Sequence, residues 1–326
     1  MSEAVAKLII LIPCLNEQET LPVTLAALPR EIPGVGTPEV LIVNDGSTDD
    51  TVATARRLGV RHILDLGRRQ GLARAFQAGL LEAARLGADY VVALDADNQY
   101  CADDIPALLE PLERGEADIV VGERPIGAID TFSPVKKALQ RLGSWVVRNL
   151  SGVPVRDTPS GFRSYNRRAM LRLVIFDEYT YTQESLIAAR DAGLRVKGVP
   201  IRVNAEVLRE SRLIKSIGGY VARSGVTILR SYLLYNTAGL LAIAGAGLGA
   251  VGLFGVGRFL YYFITGDGEG HVQSLVLSAV LLTAAMLLFV LAVLSEVLRA
   301  NRRLLQLTLT ELRERRYGAT HAPGPR

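Results

Sequence analysis

Tyr90-Val91-Val92-Ala93-Leu94 runs directly into Asp95-Ala96-Asp97-Asn98-Gln99. A short apolar run that breaks at a polar corner reads as a buried strand, Tyr90–Leu94, with two carboxylates standing at its end. The same pattern repeats outward from it. β-rich runs at Lys7–Pro13, Glu39–Asn44, His62–Leu64 and Asp118–Gly122 alternate with helical patterns at Glu19–Leu28, Asp49–Leu58, Leu72–Leu86 and Asp104–Leu112. Ser47 and Asp50 have the spacing of a capping box for the second of these helices. Such alternation predicts an α/β domain with a mostly parallel sheet. Ligands of these sheets sit beyond the carboxyl ends of the strands, so the residues there carry the most weight.

Those residues are acidic or amide-bearing at one strand after another: Asn16 and Glu17, then Asn44-Asp45-Gly46-Ser47, then Asp95, Asp97 and Gln99, then Glu123 and Arg124. Acids gathered at adjacent strand ends repel unless a cation or a donor-rich ligand lies between them. Alternation along an extended chain lets Asp95, Asp97 and Gln99 point the same way. Hard oxygen ligands of this kind suit Mg²⁺ or Mn²⁺, which usually bind substrate phosphates as well. A lone Asp-x-Asp is more often turn chemistry; its place after an apolar strand, beside matching acids, is the signal.

The chain has 326 residues, 49% of them hydrophobic and 21% charged. That length suggests about two units of organisation, and that much apolar surface excludes a disordered chain. The mean hydropathy of +0.24 is high for a water-soluble enzyme. Cys14 and Cys101 are too few for a disulfide framework and lack metal-site spacing, so they read as reduced thiols. The apolar excess is concentrated near the end: residues 231–257 and 272–295 carry no charged side chain. Each run is long enough to span a bilayer, and together they read as a transmembrane hairpin with spans about 233–257 and 273–295.

Basic residues flank both runs, Arg209, Arg212, Lys215, Arg223 and Arg230 on one side and Arg299, Arg302, Arg303, Arg313, Arg315 and Arg316 on the other, while the link 266–271 has none. The positive-inside rule then places both termini, and with them the N-terminal α/β domain, in the cytoplasm. Arg258 lies among Phe259, Tyr261, Tyr262 and Phe263, an expected interfacial belt. Gly245 and Gly249 permit close helix approach, within the hairpin or in a homo-oligomer. Met1-Ser2-Glu3 lacks a basic n-region and the apolar stretch Leu8–Ile12 is short, so no signal peptide is expected. The expected organisation is a domain over 1–205, an amphipathic juxtamembrane segment over 206–230, the hairpin over 231–295, and a basic C-terminal helix and tail over 296–326.

Pro13-Cys14-Leu15-Asn16-Glu17, Val43-Asn44-Asp45-Gly46-Ser47-Thr48-Asp49 and Asp95-Ala96-Asp97, in that order, resemble the family 2 glycosyltransferases of the GT-A fold. With the terminal hairpin, the chain looks like a polyprenyl-phosphate glycosyltransferase, similar to the dolichyl-phosphate mannose synthases and the bacterial undecaprenyl-phosphate glucosyltransferases. The resemblance implies a GT-A catalytic domain, a nucleoside-diphosphate sugar as donor, undecaprenyl or dolichyl phosphate as acceptor, and Mg²⁺ or Mn²⁺. It implies that Pro13, Asn16, Glu17, Asp45 and Gly71 line the nucleotide pocket and that Asp95, Asp97 and Gln99 form the metal and diphosphate site. Asp157-Thr158-Pro159-Ser160-Gly161-Phe162-Arg163 matches the loop beside sugar and acceptor. The run Asn98-Gln99-Tyr100-Cys101-Ala102 keeps the glutamine but lacks the prolines that many members carry, which bears on the start of the next helix.

The expected reaction transfers the sugar with inversion to a phosphate oxygen. A phosphate monoester is largely dianionic at neutral pH, so no dedicated general base is needed, and none of His62, His271 and His321 is an evident one. Asp95 and Asp97 hold the cation, Arg163 is expected to assist the leaving diphosphate, and Glu184 either contacts substrate or stabilises its helix N-terminus. Arg124, Lys137, Arg141, Ser144, Arg209 and Arg212 are expected at the acceptor phosphate. UDP-glucose and GDP-mannose lead among donors. Two alternatives remain: a membrane-anchored transferase extending a polysaccharide or lipid-linked saccharide, and a non-catalytic nucleotide-sugar sensor or scaffold. A nucleic-acid partner is excluded by charge placement, because the net charge of +4 is concentrated around the apolar spans.

Overall fold

β1 (Leu8–Cys14) is apolar almost throughout, as a strand covered on both faces of a parallel sheet must be. It pairs in parallel with β2 (Glu39–Asn44) and β4 (Tyr90–Ala93), and β2 pairs onward with β3 (His62–Asp65). β5 (Ile119–Glu123) and β7 (Val196–Pro200) are parallel to each other, and β6 (Arg163–Asn166) runs antiparallel between β4 and β5. The order is β3-β2-β1-β4-β6-β5-β7. The mostly parallel α/β sheet expected from the sequence is present. β6 is the departure: its Arg-Ser-Tyr-Asn has no apolar run to announce a strand. The architecture belongs to a computed structural model that describes residues 6–125, 144, 148, 152–175, 181–204, 217–266 and 272–318, with only the backbone over 217–236.

Helices α1 (Leu21–Ala26), α2 (Thr51–Arg57), α3 (Leu72–Arg85), α4 (Ile105–Glu113), α5 (Arg167–Arg172) and α6 (Tyr181–Asp191) flank the sheet. On α3 the buried Ala73, Phe76, Leu80, Ala83 and Ala84 recur at helical spacing and form its buried face. Burying Phe76 and Leu80 contributes about 1.5–3 kcal/mol each. Gly79 lies on the same face, where a Cβ would run into Leu11 and come within 2.9 Å of Val43. The helix stops at Gly87, whose φ of 81° suits a left-handed cap.

The capping box expected from Ser47 and Asp50 does not form. α2 begins at Thr51, with Asp50 at its N-cap and no capping bond from that side chain. Asp49 Oδ1 accepts from the Thr51 N–H at 3.1 Å instead. The Ser47 hydroxyl accepts from the Asn16 N–H at 3.0 Å, a partner 31 residues away that no local pattern reveals.

The chain divides into two units, Met1–Gly225 with Thr308–Arg326, and Val226–Leu307. The second holds most of α7 (Ile217–Ile264) and of α8 (Val272–Gly318), whose apolar stretches Thr237–Ile264 and Val272–Tyr317 are long enough to cross a membrane. α7 is one helix from Ile217 onward, so residues 217–230 are continuous with the first apolar span. In this unit Gly245 faces Ala285 and Gly252 faces Leu282, where added Cβ atoms would meet neighbours at 3.2 and 2.9 Å. The small-residue stripe therefore packs the two helices against each other. Arg258 stands 5.8 Å over the ring of Tyr262, and Phe259 stacks on Phe263.

In the first unit, the last turns of α8 hold α5. Arg313 Nη1 donates to the carbonyls of Leu171 and Leu173 at 3.2 and 3.1 Å, satisfying acceptors at the helix C-terminus.

Candidate active site

The carboxyl ends of β2, β1 and β4 are adjacent, so the acids read at each are brought to one edge. Gly46 has a φ of 74°, and its missing Cβ leaves room for the backbone of Arg68 and Arg69. That turn delivers Asp45, whose carboxylate accepts from the Gln70 N–H at 2.6 Å and the Gly71 N–H at 3.0 Å. Asp45 and Gly71, expected to share a pocket, are thus directly bonded.

Asn16 adopts a φ of 55°, and its side-chain oxygen accepts from the Thr48 N–H at 2.8 Å. The Glu17 N–H donates to the Thr51 hydroxyl at 2.8 Å, while its carboxylate accepts from Thr20 at the same distance. These bonds join the loops after β1 and β2. Pro13, next to last in β1, lies opposite Val43.

β4 ends at Ala93, so Asp95 and Asp97 stand on a turn rather than on an extended strand. Strand alternation therefore does not set their directions. The Gln99 N–H donates to Asp97 Oδ1 at 3.1 Å, and Asn98 takes a left-handed φ of 56°. Burial and then the charge of Asp97 hold the Asp95 carboxyl well above the usual carboxylate range, with Glu17 acting in the same direction and Arg124 and Arg163 opposing. Two carboxylates that disfavour each other's ionisation form a site to which a dication would restore balance. Among the described residues no group of three His, Cys, Asp and Glu side chains is placed to hold a metal. The donor set here is two carboxylates and the Gln99 amide, which fits a hard dication that takes its remaining ligands from phosphate and water.

Gly161 lies against Asp95: a Cβ there would come 2.6 Å from Asp95 Oδ2. Its N–H donates to the Tyr100 hydroxyl at 2.9 Å, and its carbonyl accepts from Tyr181 at 3.2 Å. Burial keeps both phenols neutral by raising their pKa values. Neither tyrosine is singled out by the sequence, because each acts across a fold-level distance.

Arg163, expected at the leaving diphosphate, is turned inward. It is fully buried, donating to the carbonyls of Ser160 (2.8 Å) and Thr158 (2.6 Å) and to the Ser185 hydroxyl (2.7 Å). That geometry makes it a brace for the 157–161 loop. Arg124, expected at the acceptor phosphate, clasps Asp157 through Nε at 2.6 Å and Nη2 at 3.0 Å, and reaches Gln99 Oε1 at 3.3 Å. The pair is nearly buried, with side chains 8% and 1% exposed. Arg124 therefore stands within the acid cluster. Ser144 is buried and accepts from Thr158 at 3.3 Å. Glu184 is buried in the first turn of α6 beside Thr182 and Gln183. Lys137, Arg141, Arg209 and Arg212 lie outside the described residues.

Comparison with known proteins gives this arrangement a context. Residues 9–174 match the model of the family described as Glycosyl transferase family 2. The chain is 30% identical over 250 residues to an undecaprenyl-phosphate mannosyltransferase of Micrococcus luteus, covering 73% of this chain and 99% of that protein. It is 28% identical over 216 residues to a polyprenol monophosphomannose synthase of Mycolicibacterium smegmatis, covering 63% of this chain and 80% of the relative. Its fold is similar to that of glucosyl-3-phosphoglycerate synthase from Mycobacterium tuberculosis, solved with Mn²⁺, uridine diphosphate and product. There the TM-score is 0.54 at 22% identity, over 69% of this chain and 80% of the other.

Proposed function

The chain belongs to glycosyltransferase family 2, and from that membership we propose that it transfers a sugar from a nucleoside-diphosphate sugar to a polyprenyl phosphate. The observation that carries this reading is its likeness to the undecaprenyl-phosphate mannosyltransferase over 99% of that relative's length. The two apolar helices support it, since a carrier this hydrophobic is met at a bilayer. Two mannosyl-transferring relatives favour GDP-mannose over UDP-glucose as donor.

The residues divide the work. Asn16, Glu17, Asp45 and Gly71 bind the nucleotide. Asp95 and Asp97, with Gln99, would hold Mg²⁺ or Mn²⁺, which when bound would supply Lewis-acid stabilisation of the departing diphosphate. Arg124 reinforces that positive field and ties Gln99 to the 157–161 loop, while Arg163 fixes the loop from behind. Glu184 orients sugar or acceptor. The acceptor phosphate attacks as a dianion, without a dedicated base, and inverts the anomeric centre. Basic residues at both helix ends, set against the link 266–271 without any, support a two-pass protein with the catalytic unit on the cytoplasmic side.

The decisive assay incubates purified protein and undecaprenyl phosphate with a panel of radiolabelled nucleotide sugars and counts label in the organic phase. Label from one donor supports the reading; none from any donor, with dolichyl phosphate also tried, refutes it.

A further inference from the structure

Beyond β7 the chain folds back along the acid loop. Tyr100 and Val203 form an antiparallel bridge. The Asn204 N–H donates to the Gln99 carbonyl at 2.9 Å, and the Cys101 N–H to the Arg202 carbonyl at 3.4 Å. Across this short ladder the Asn204 side-chain amide donates to the carbonyls of Asn98 at 2.8 Å and Tyr100 at 3.1 Å. It also lies 3.4 Å from Asn98 Oδ1. Asn98 is the residue whose φ of 56° turns the chain between Asp97 and Gln99. A non-glycine residue holds that conformation only at some cost, so the surroundings must fix it. One side chain spans the corner and takes two of its carbonyls.

We propose that Asn204 is a positioning residue for the cation site, its amide holding the Asn98 corner so that Asp97 and Gln99 converge on the dication and the donor diphosphate. The proposal rests on the reading of Asp95 and Asp97 given under Proposed function. Asn204 touches no reacting atom and acts through the corner it fixes. Residues that hold ligands from behind in this way typically alter metal affinity by about 10–100-fold when lost. The backbone ladder through Gln99, Cys101 and Arg202 does not depend on the Asn204 side chain. Its truncation therefore loosens the corner without unfolding the unit.

The test titrates Mn²⁺ into the full-length protein in detergent, alone and with GDP, reading free Mn²⁺ by electron paramagnetic resonance and melting separately. Asn204→Ala and Asn204→Asp are expected to raise half-saturating Mn²⁺ on the order of tenfold, with melting and the KM for polyprenyl phosphate unchanged. Adding Asn98→Gly to Asn204→Ala should recover much of the affinity, because glycine takes the left-handed turn unaided. If Asn204→Ala binds Mn²⁺ as the unaltered protein does while Asp97→Ala does not, the positioning role is overturned and the cation site stands. If Asp97→Ala also binds normally, the cation site falls and the proposal with it. Weaker binding that tracks a lower melting temperature and is not rescued by Asn98→Gly is a general packing effect and overturns the proposal too.

Discussion

Gly161→Ala adds one methyl group directly against the Asp95 carboxylate. Its Cβ would lie 2.6 Å from Asp95 Oδ2 and 3.2 Å from Asp95 Cγ. Ordinary contact needs roughly 3.5 Å, so the shortfall is on the order of 1 Å. The glycine cannot retreat easily, because its N–H is held by Tyr100 and its carbonyl by Tyr181. The Asp95 side chain is the part that gives way. A displacement of about 1 Å at a reacting site costs on the order of 10²-fold in rate, equivalent to roughly 2.7 kcal/mol of barrier. The stability cost is smaller, about 1–3 kcal/mol at most for an overpacked position. The assay measures sugar transfer at saturating donor across a Mn²⁺ series, with melting in parallel. The expected variant is folded, slow and shifted to higher Mn²⁺. A Gly161→Ala protein with unaltered kcat and unaltered Mn²⁺ dependence would show that Asp95 does not work from the position described.

Asp97→Ala, or EDTA added to the unaltered enzyme, should lower transfer by roughly two to three orders of magnitude, the equivalent of several kcal/mol of charge stabilisation; full activity in either case removes the dication from the reaction. Asp118, 1% exposed, would have its pKa raised by burial, but the Arg195 N–H, the Asn166 amide and the Arg195 guanidinium outweigh that and hold it below the ordinary value of 3.8. Its depressed folded-state pKa means the charged form contributes stability above about pH 4 and loses it as pH falls through the lower value. Asp118→Asn should therefore melt earlier at neutral pH, by roughly 1–3 kcal/mol, with the gap narrowing in acid; a gap independent of pH would contradict this. Protease added outside intact cells should spare the catalytic unit, and its digestion would reverse the orientation.

The parts of this molecule legible in its sequence are those whose physics is local. β1 and β4 are apolar because neighbouring strands and helices cover them, and a continuous apolar run says so without reference to anything distant. The acids after β1, β2 and β4 are legible for the same reason, since each stands at a polar corner after an apolar run and the corners repeat one pattern along the chain. β6 fails that test. Arg163-Ser164-Tyr165-Asn166 is a strand only because β4 and β5 stand on either side and because its polar groups are satisfied at long range. Ser164, for example, donates to the Leu108 carbonyl at 2.7 Å.

Arg163 shows how a side chain's chemistry misleads when its burial is unknown. An arginine beside an expected phosphate site suggests a phosphate contact, yet its donors are directed at the carbonyls of an irregular loop, which has few other ways to satisfy them. Arg124 makes the complementary point. Its partner Asp157 is 33 residues away and 1% exposed, so the pairing cannot be read from neighbouring residues in the chain. Removing Asp157 would take away the bidentate partner of a nearly buried guanidinium, and breaking a buried pair in this way typically costs about 3–5 kcal/mol. What a hydrophobic pair could not do at this place is join Gln99 to the 157–161 loop. The ion pair and the Asn204 amide thus meet the same short turn from two segments well downstream of it. Two aspartates seen in the chain become a site through contacts that lie 25 and 106 residues away from the turn they hold.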